Sequence, residues 1–214
     1  MKIKYKNYWR KTGLKNEWGE LFLNIVAKHK PKHFFEIGVF CGVTARNVCE
    51  LLKKIHGEEF SYTGVDLFGE DHINNINEKE PSYIKKQKFS NPLKNIYYNY
   101  LKRENLNSKE SVSYFLKKFK KNVKLVKGNS NDILKTIDIK NVDFTFIDGG
   151  HSFETVWNDL NQVSKKIKKG AVILCDDYQG ETYITGVKKA LDKLVEEKNL
   201  KLEVIRGRFA KIVI

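Results

Sequence analysis

Three observations predict an α/β fold built on a mostly parallel, seven-stranded sheet with helices on both faces and an antiparallel hairpin at the C-terminal end. Seven short apolar runs are spread along the 214 residues, and most are separated by segments of helical period. Three of those runs stop at an acidic residue: Asp66, Asp148 and Asp176. The last two runs are joined by a tight turn around Gly207. Strands that alternate with helices imply right-handed crossovers and parallel pairing, whereas a tight turn brings the chain straight back antiparallel.

After a Lys-rich opening, Leu14, Trp18, Leu21, Phe22, Ile25 and Val26 recur at helical spacing, and Pro31 limits continuation. This is an entry helix within an N-terminal helical extension of about residues 1–30. In "HFFEIGVFCGVTARNVCELLKKI" a strand ends near Ile37, a glycine-bearing turn follows, and a helix runs from about Thr44 to Ile55. "FSYTGVDLF" supplies a second strand, ending at Asp66. The polar stretch beyond it, with two of the three prolines and no sustained period, reads as a long loop or lid.

Two helices are expected next. One spans about Leu93 to Glu104; the other is opened by Asn107 with Glu110 three residues on, a capping-box spacing, and has Val112, Phe115, Leu116 and Phe119 on its apolar face. Residues 69–121 thus form an inserted lid or helical segment of a single domain covering 1–214. The remainder alternates: strand "VKLVKG", short helix "NDILKTI", strand "VDFTFID", helix "SFETVWNDLNQVSKKI", strand "AVILCDD", helix "TGVKKALDKLVEEK", then the hairpin "LEVIRG" and "RFAKIVI".

Hydrophobic residues make up 41% of the chain and charged residues 31%, a balance that supports a packed core and argues against a membrane protein. No apolar run approaches the roughly 18 residues that span a bilayer, and "MKIKYKNYWRKTG" lacks the apolar centre of a secretory signal, so a cytoplasmic protein is expected. Cys41, Cys49 and Cys175 form no C-x-x-C pair and sit in or beside apolar segments, which favours buried thiols over disulfides or zinc ligands. The net charge of +14 admits a polyanionic partner such as RNA, since clustered Lys and Arg bind phosphates by counterion release. Here the lysines are spread over the whole chain, the pattern of compositional drift, and nucleic acid is the weaker expectation.

In open sheets of this kind ligands bind beyond the carboxyl ends of the strands. The turn after the first strand carries Glu36, Gly38 and Gly42, with Thr44 opening the helix beyond. Missing side chains let a ligand approach the backbone, and a helix N-terminus can face an anion. A plain strand-to-helix turn is the alternative. The E-x-G-x-x-x-G spacing differs from the G-x-G-x-x-G of dinucleotide folds and argues against NAD. Asp66 stands where a carboxylate accepts hydrogen bonds from both ribose hydroxyls, or else caps a loop. Asn129, Ser130 and Asn131 at the third strand's end suit an adenine edge, although small polar residues also populate ordinary turns.

Asp148 ends the fourth strand, and Asp176 and Asp177 end the fifth. Neighbouring strands lie about 4.8 Å apart, so carboxylates leaving their ends together converge. Such anions repel one another, and a hard divalent cation that takes oxygen ligands, most simply Mg2+, would neutralise them. The alternative is that one or two of them cap loops or helices. His151 follows Asp148 behind Gly149 and Gly150, placed to take a proton from a hydroxyl, an effect typically worth about 100- to 10,000-fold in rate. Helix capping is the bland alternative. His29, His33, His56 and His72 lack such company.

Four stretches, "FFEIGVFCGVTA", "YTGVDLF", "FIDGGHSFETVWNDL" and "GAVILCDDYQG" with the later "TGVKKAL", carry a resemblance over roughly residues 33–195, to which about 69–120 contribute little. They are similar to class I S-adenosylmethionine-dependent methyltransferases. Within that superfamily they resemble the metal-dependent O-methyltransferases that modify sugar hydroxyls on natural products and their cephalosporin-hydroxylase-like relatives. The resemblance implies a Rossmann-like methyltransferase fold. It implies that Glu36 and Gly38 meet the methionine part of the cofactor and that Asp66 holds the ribose; Gly42, Thr44, Ser130 and Asp148 are expected cofactor contacts beside them. Asp148, Asp176 and Asp177 are then metal ligands.

Family members differ over the base, some carrying Asp two residues after the first ligand and others His three residues after it. With Gly150 at the first place and His151 at the second, this chain resembles the histidine type. The implied reaction is methyl transfer to a hydroxyl of a small molecule, a sugar or glycosylated metabolite, with Asp148 and His151 catalytic. RNA methylation on the same fold is a rival, opposed by the lack of an N-P-P-Y or D-P-P-Y motif, and a non-catalytic S-adenosylmethionine-binding protein is another. Homo-oligomer formation stays open.

Overall fold

The computed structural model describes residues 3–69, 87–179 and 185–214. Seven strands form one sheet: β1 (His33–Ile37), β2 (Ser61–Asp66), β3 (Val123–Lys127), β4 (Phe144–Ile147), β5 (Val172–Cys175), β6 (Glu203–Ile205) and β7 (Phe209–Val213). Their spatial order is β3-β2-β1-β4-β5-β7-β6. The first five pair in parallel, while β7 runs antiparallel to both β5 and β6. The order reverses between β1 and β4, the switch point at which doubly wound sheets open a crevice beyond their carboxyl ends.

The helices are α1 (Asn16–His29), α2 (Val43–His56), α3 (Pro92–Asn95), α4 (Lys109–Phe115), α5 (Ser130–Thr136), α6 (Phe153–Lys166) and α7 (Thr185–Lys198). Period-two alternation sends the side chains of each central strand to two apolar layers, as a sheet covered on both faces requires. Phe34, Phe146 and Leu174 join Phe22 and Val26 of α1 and Val48 and Leu52 of α2 on one face. Phe35, Ile147 and Ile173 join Leu134 of α5, Leu160 of α6 and Leu191 of α7 on the other. The seven strands, the mostly parallel pairing and the terminal hairpin are as the sequence predicts; Arg206 and Gly207 turn that hairpin with φ of 52° and 74°. All three cysteines are buried free thiols. Among the described residues no helix is long and apolar enough to cross a membrane.

The insert departs from its expected form. The helix expected over Leu93–Glu104 is a single α turn, α3, that widens into a π-helix at Ile96–Leu101, where the amide of Lys102 reaches back to Tyr97 O at 2.7 Å. Trp9 packs at the wide turn, its ring centroid 5.2 Å from that of Tyr97 and 5.5 Å from that of Tyr98. The next helix is capped by Ser108, whose hydroxyl accepts from the Ser111 amide at 3.1 Å, and not by Asn107, which is buried. The expected apolar face holds: Val112, Leu116 and Phe119 are buried and Phe115 packs against them. Much of the lid expectation, His72 included, falls on residues 70–86, outside the described residues.

Candidate active site at the carboxyl ends of the strands

Backbone pairing continues past the last residue of each central strand and aligns the residues that follow. The amide of Asp148 donates to Ile37 O at 2.9 Å, that of Asp176 to Ile147 O at 3.1 Å, that of Gly38 to Val65 O at 3.0 Å and that of Gly128 to Asp66 O at 3.0 Å. One edge of the sheet therefore carries the glycine turn, Asp66, Asp148 and Asp176 side by side. Gly38 is required there: its φ is +93°, and a Cβ would lie 2.1 Å from the Asp148 carbonyl oxygen.

The three carboxylates do meet. Asp148, Asp176 and Asp177 each offer an oxygen, and these atoms all lie within 4.8 Å of one another. Asp176 is buried and gripped by the Arg208 fork, with Nε to Oδ1 at 2.6 Å and Nη2 to Oδ2 at 2.7 Å. Asp177 holds a left-handed φ of 56°, uncommon for a residue with a side chain, and its amide donates to Asp176 Oδ1 at 2.9 Å. His151 Nε2 stands 3.3 Å from Asp177 Oδ2. Sequence reasoning thus places His151 beside the acidic group.

The charges act on one another. Burial, and then the charges of Asp176 and Asp177, push the Asp148 carboxyl well above the usual carboxylate range. Burial also raises Asp176, against the pull of Arg208. Asp177 is lowered, chiefly by its hydrogen bond with His151. Arg208 is thus a partial counter-ion and His151 a hydrogen-bond partner, and the mutual repulsion that remains falls on Asp148. Six-coordinate Mg2+ holds oxygens at about 2.1 Å, so oxygens up to about 4.2 Å apart can share it. An all-oxygen donor set spread over 4.8 Å needs only a small contraction, and the residues fit a hard divalent cation.

The expected cofactor residues line the same edge with differing exposure. Asp66 Oδ2 accepts from the Phe40 amide at 2.7 Å and Oδ1 from the Phe68 amide at 2.6 Å, which fixes the carboxylate against the glycine turn with lone pairs to spare. Glu36 is fully buried in the layer beneath α2, where the Tyr62 hydroxyl donates to Oε2; Oε1 has no partner among the described residues. Burial pushes its carboxyl up to about 8. Gly42 starts α2 in the left-handed region without a side-chain cap, and the Thr44 hydroxyl lies 2.9 Å from that of Tyr5. Ser130 opens α5 behind Asn129, whose side chain caps it by accepting from the Asn131 amide at 2.9 Å; Asn131 Oδ1 is buried and unpartnered among the described residues.

Four contributors were not found from sequence: Tyr5 on Thr44, Arg10 on the Cys41 carbonyl, Tyr62 on Glu36 and Arg208 on Asp176. No local pattern marks them, because each partner is 26 to 39 residues away along the chain. Of the remaining histidines, His33 bonds Ser61 and His56 bonds the Lys30 carbonyl, which are structural tasks.

A mostly parallel sheet with its switch point between β1 and β4, a glycine turn and an acidic strand-end group define a doubly wound α/β protein. Residues 35–178 match the model of a family described as a methyltransferase domain, and the chain belongs to that family. It is 37% identical over 81 residues to the protein R132 of Acanthamoeba polyphaga mimivirus, a stretch that covers 36% of this chain and 36% of that relative's length. The fold is similar to that of the O-methyltransferase NovP, with a TM-score of 0.65 at 17% identity over 92% of this chain and 81% of that one. It is also similar to the O-methyltransferase TomG from Streptomyces achromogenes, solved in complex with SAM, with a TM-score of 0.60 at 16% identity over 94% and 81% of the two chains.

Proposed function

We propose that this chain transfers a methyl group from S-adenosylmethionine to a hydroxyl of a small molecule, a sugar or glycosylated metabolite, with a divalent cation, Mg2+, at the acidic group. The observation that carries the reading is the convergence of Asp148, Asp176 and Asp177 within 4.8 Å beside His151, one strand away from the glycine turn. The family match and the likeness to NovP and TomG support methyl transfer to oxygen. A single-domain organisation, in which an N-terminal extension and the 69–121 insert flank the site, and a cytoplasmic location belong to the same reading.

The cofactor supplies an electrophilic methyl on a sulfonium, and the cation would lower the pKa of a chelated hydroxyl. This chain's residues do the rest. Gly38 leaves the backbone bare beside Asp148, the buried Glu36 carboxyl has Oε1 unpartnered among the described residues, Asn131 Oδ1 offers an unused acceptor, and the Asp66 carboxylate presents lone pairs to a ribose. His151 accepts the hydroxyl proton on its other ring nitrogen, while Nε2–H, 3.3 Å from Asp177 Oδ2, keeps that carboxylate as counter-ion to the imidazolium that results. Asp148, Asp176 and Asp177 are the residues that would hold the cation, each with a carboxylate oxygen.

The test is formation of S-adenosylhomocysteine by the purified protein on a panel of sugar hydroxyl acceptors. Turnover is expected to vanish in excess EDTA and return with Mg2+. Asp148→Asn is expected to cut kcat at least about 100-fold with the circular dichroism spectrum unchanged, and His151→Ala to cut it about 100-fold with little change in cofactor affinity. Undiminished turnover in chelator would sink the metal assignment, and an unchanged rate in H151A would remove the base.

A further inference from the structure

Away from the acidic group, the described residues enclose a second cleft of about 280 Å³ between the N-terminal segment, the start of α1 and α3. Its charged lining is Lys11, Lys15 and Lys94 together with Arg10, whose guanidinium Glu104 Oε1 partly neutralises at 3.6 Å. Arg10 is 7% exposed and serves as a wall, donating to Cys41 O at 2.9 Å, Leu106 O at 2.9 Å and Ser111 Oγ at 2.8 Å. Lys15 and Lys94 have no carboxylate partner among the described residues, and the Lys94 ammonium lies 5.6 Å from the centroid of the Trp9 ring. Burial, followed by the ammonium groups of Lys11 and Lys15, pushes the Lys94 amine down. Ammonium groups from three elements therefore repel one another across the cleft.

Two further features suit an anion. The fourteen-residue helix α1 begins at this wall with no side-chain cap on its first amides, which adds the positive end of its dipole. Ser90 and Asn91 bring neutral donors to the opposite side. The cleft also adjoins the proposed site: Tyr5, one of its lining residues, holds Thr44 at the start of α2, and Arg10 holds the carbonyl of Cys41 in the glycine turn.

We propose that this cleft binds a phosphate or diphosphate carried by the acceptor, so that the hydroxyl compound methylated is a phosphorylated one; this rests on the methyl-transfer reading above. Lys15 and Lys94 give charge-assisted bonds to the phosphate oxygens, and their mutual repulsion is relieved when the anion enters.

The test is calorimetric titration of the full-length protein with inorganic pyrophosphate in magnesium-free buffer, alongside titration with S-adenosylhomocysteine. Saturable one-to-one pyrophosphate binding is expected, weakened at least tenfold in the Lys15→Ala/Lys94→Ala double variant. The Lys198→Ala/Lys201→Ala variant, which removes equal charge from residues outside the cleft, is expected to bind as the wild type does. S-adenosylhomocysteine affinity should be the same in all three. Equal weakening in both double variants would reduce the effect to bulk charge and overturn the site, as would the absence of saturable binding. Loss of S-adenosylhomocysteine affinity in K15A/K94A with pyrophosphate binding intact would reassign the lysines to the cofactor's carboxylate. Failure of the wild type to bind S-adenosylhomocysteine strikes the methyl-transfer reading, a result distinct from all of these.

Discussion

Glu36 shows how much a single residue's surroundings decide. It lies in a strand one residue from a ligand-facing edge, yet its carboxyl is fully buried beside the Tyr62 hydroxyl and its pKa is pushed up to about 8 by burial. The unfolded chain releases that proton near pH 4.5, and the folded one holds it to about 8. The native state thus binds the extra proton between those values. Glu36's contribution to stability is fully present below pH 4.5 and is lost as pH rises through about 8, at up to about 1.4 kcal/mol per pH unit. Glu36→Gln is expected to abolish this part of the slope, so the wild-type-minus-variant difference in unfolding free energy should fall across that window and level off above it. Urea titrations of the ligand-free protein at a series of pH values check this, and a flat difference would show Glu36 ionised in the fold. The position of Glu36 was legible in the sequence because the glycines flag the turn. Its protonation was not, because burial and Tyr62 come from elsewhere in the chain.

Among the elements, α7 sets the place of His151 by backbone contact. A Cβ on Gly186 would lie 2.2 Å from the His151 carbonyl oxygen and 2.5 Å from the Phe153 amide, so only glycine lets α7 rest on the turn that starts α6. Gly186→Ala forces that turn outward. The expected stability cost is about 1–3 kcal/mol, from overpacking. A kcat at least about tenfold lower is also expected, with S-adenosylhomocysteine affinity unchanged, since the glycine turn and Asp66 lie on other elements. Steady-state kinetics and calorimetry on the same variant separate these effects; an unaltered kcat would show that the position of this turn does not govern turnover. Helices α2, α6 and α7 were readable from their 3.6-residue period, and Ser152 caps α6 as a serine before a helix should, accepting from the Thr155 amide at 3.3 Å. The π-helical turn at Ile96–Leu101 was not readable, because its widening belongs to packing against Trp9.

For the molecule as a whole, the order of strands determines which charges share the site. Because β7 inserts between β5 and β6, the hairpin turn brings Arg208 onto Asp176, whose side chain is 2% exposed. Arg208→Ala strands a buried carboxylate and is expected to cost about 3 kcal/mol of unfolding free energy, measured by urea denaturation at neutral pH. On the proposed metal assignment, added Mg2+ should restore more stability to this variant than to the wild type, because a ligand that binds only the folded state stabilises it. An R208A protein as stable as the wild type would mean that Asp176 already takes up a proton in the fold.

The sequence by itself determined the seven strands, their parallel succession, the closing hairpin and the acidic residues at the strand ends. Alternation, apolar runs and glycine turns are local signals, and the right-handed crossover rule carries them to a topology. Only the tertiary structure decided which cations meet those acids, that Glu36 is sealed beneath α2, and that the N-terminal segment lies against the glycine turn to wall a cationic cleft. These depend on pairs such as Arg208 with Asp176 and Tyr5 with Thr44, 32 and 39 residues apart. Such pairs leave no period or motif in the chain, and only the packed sheet brings them within bonding distance.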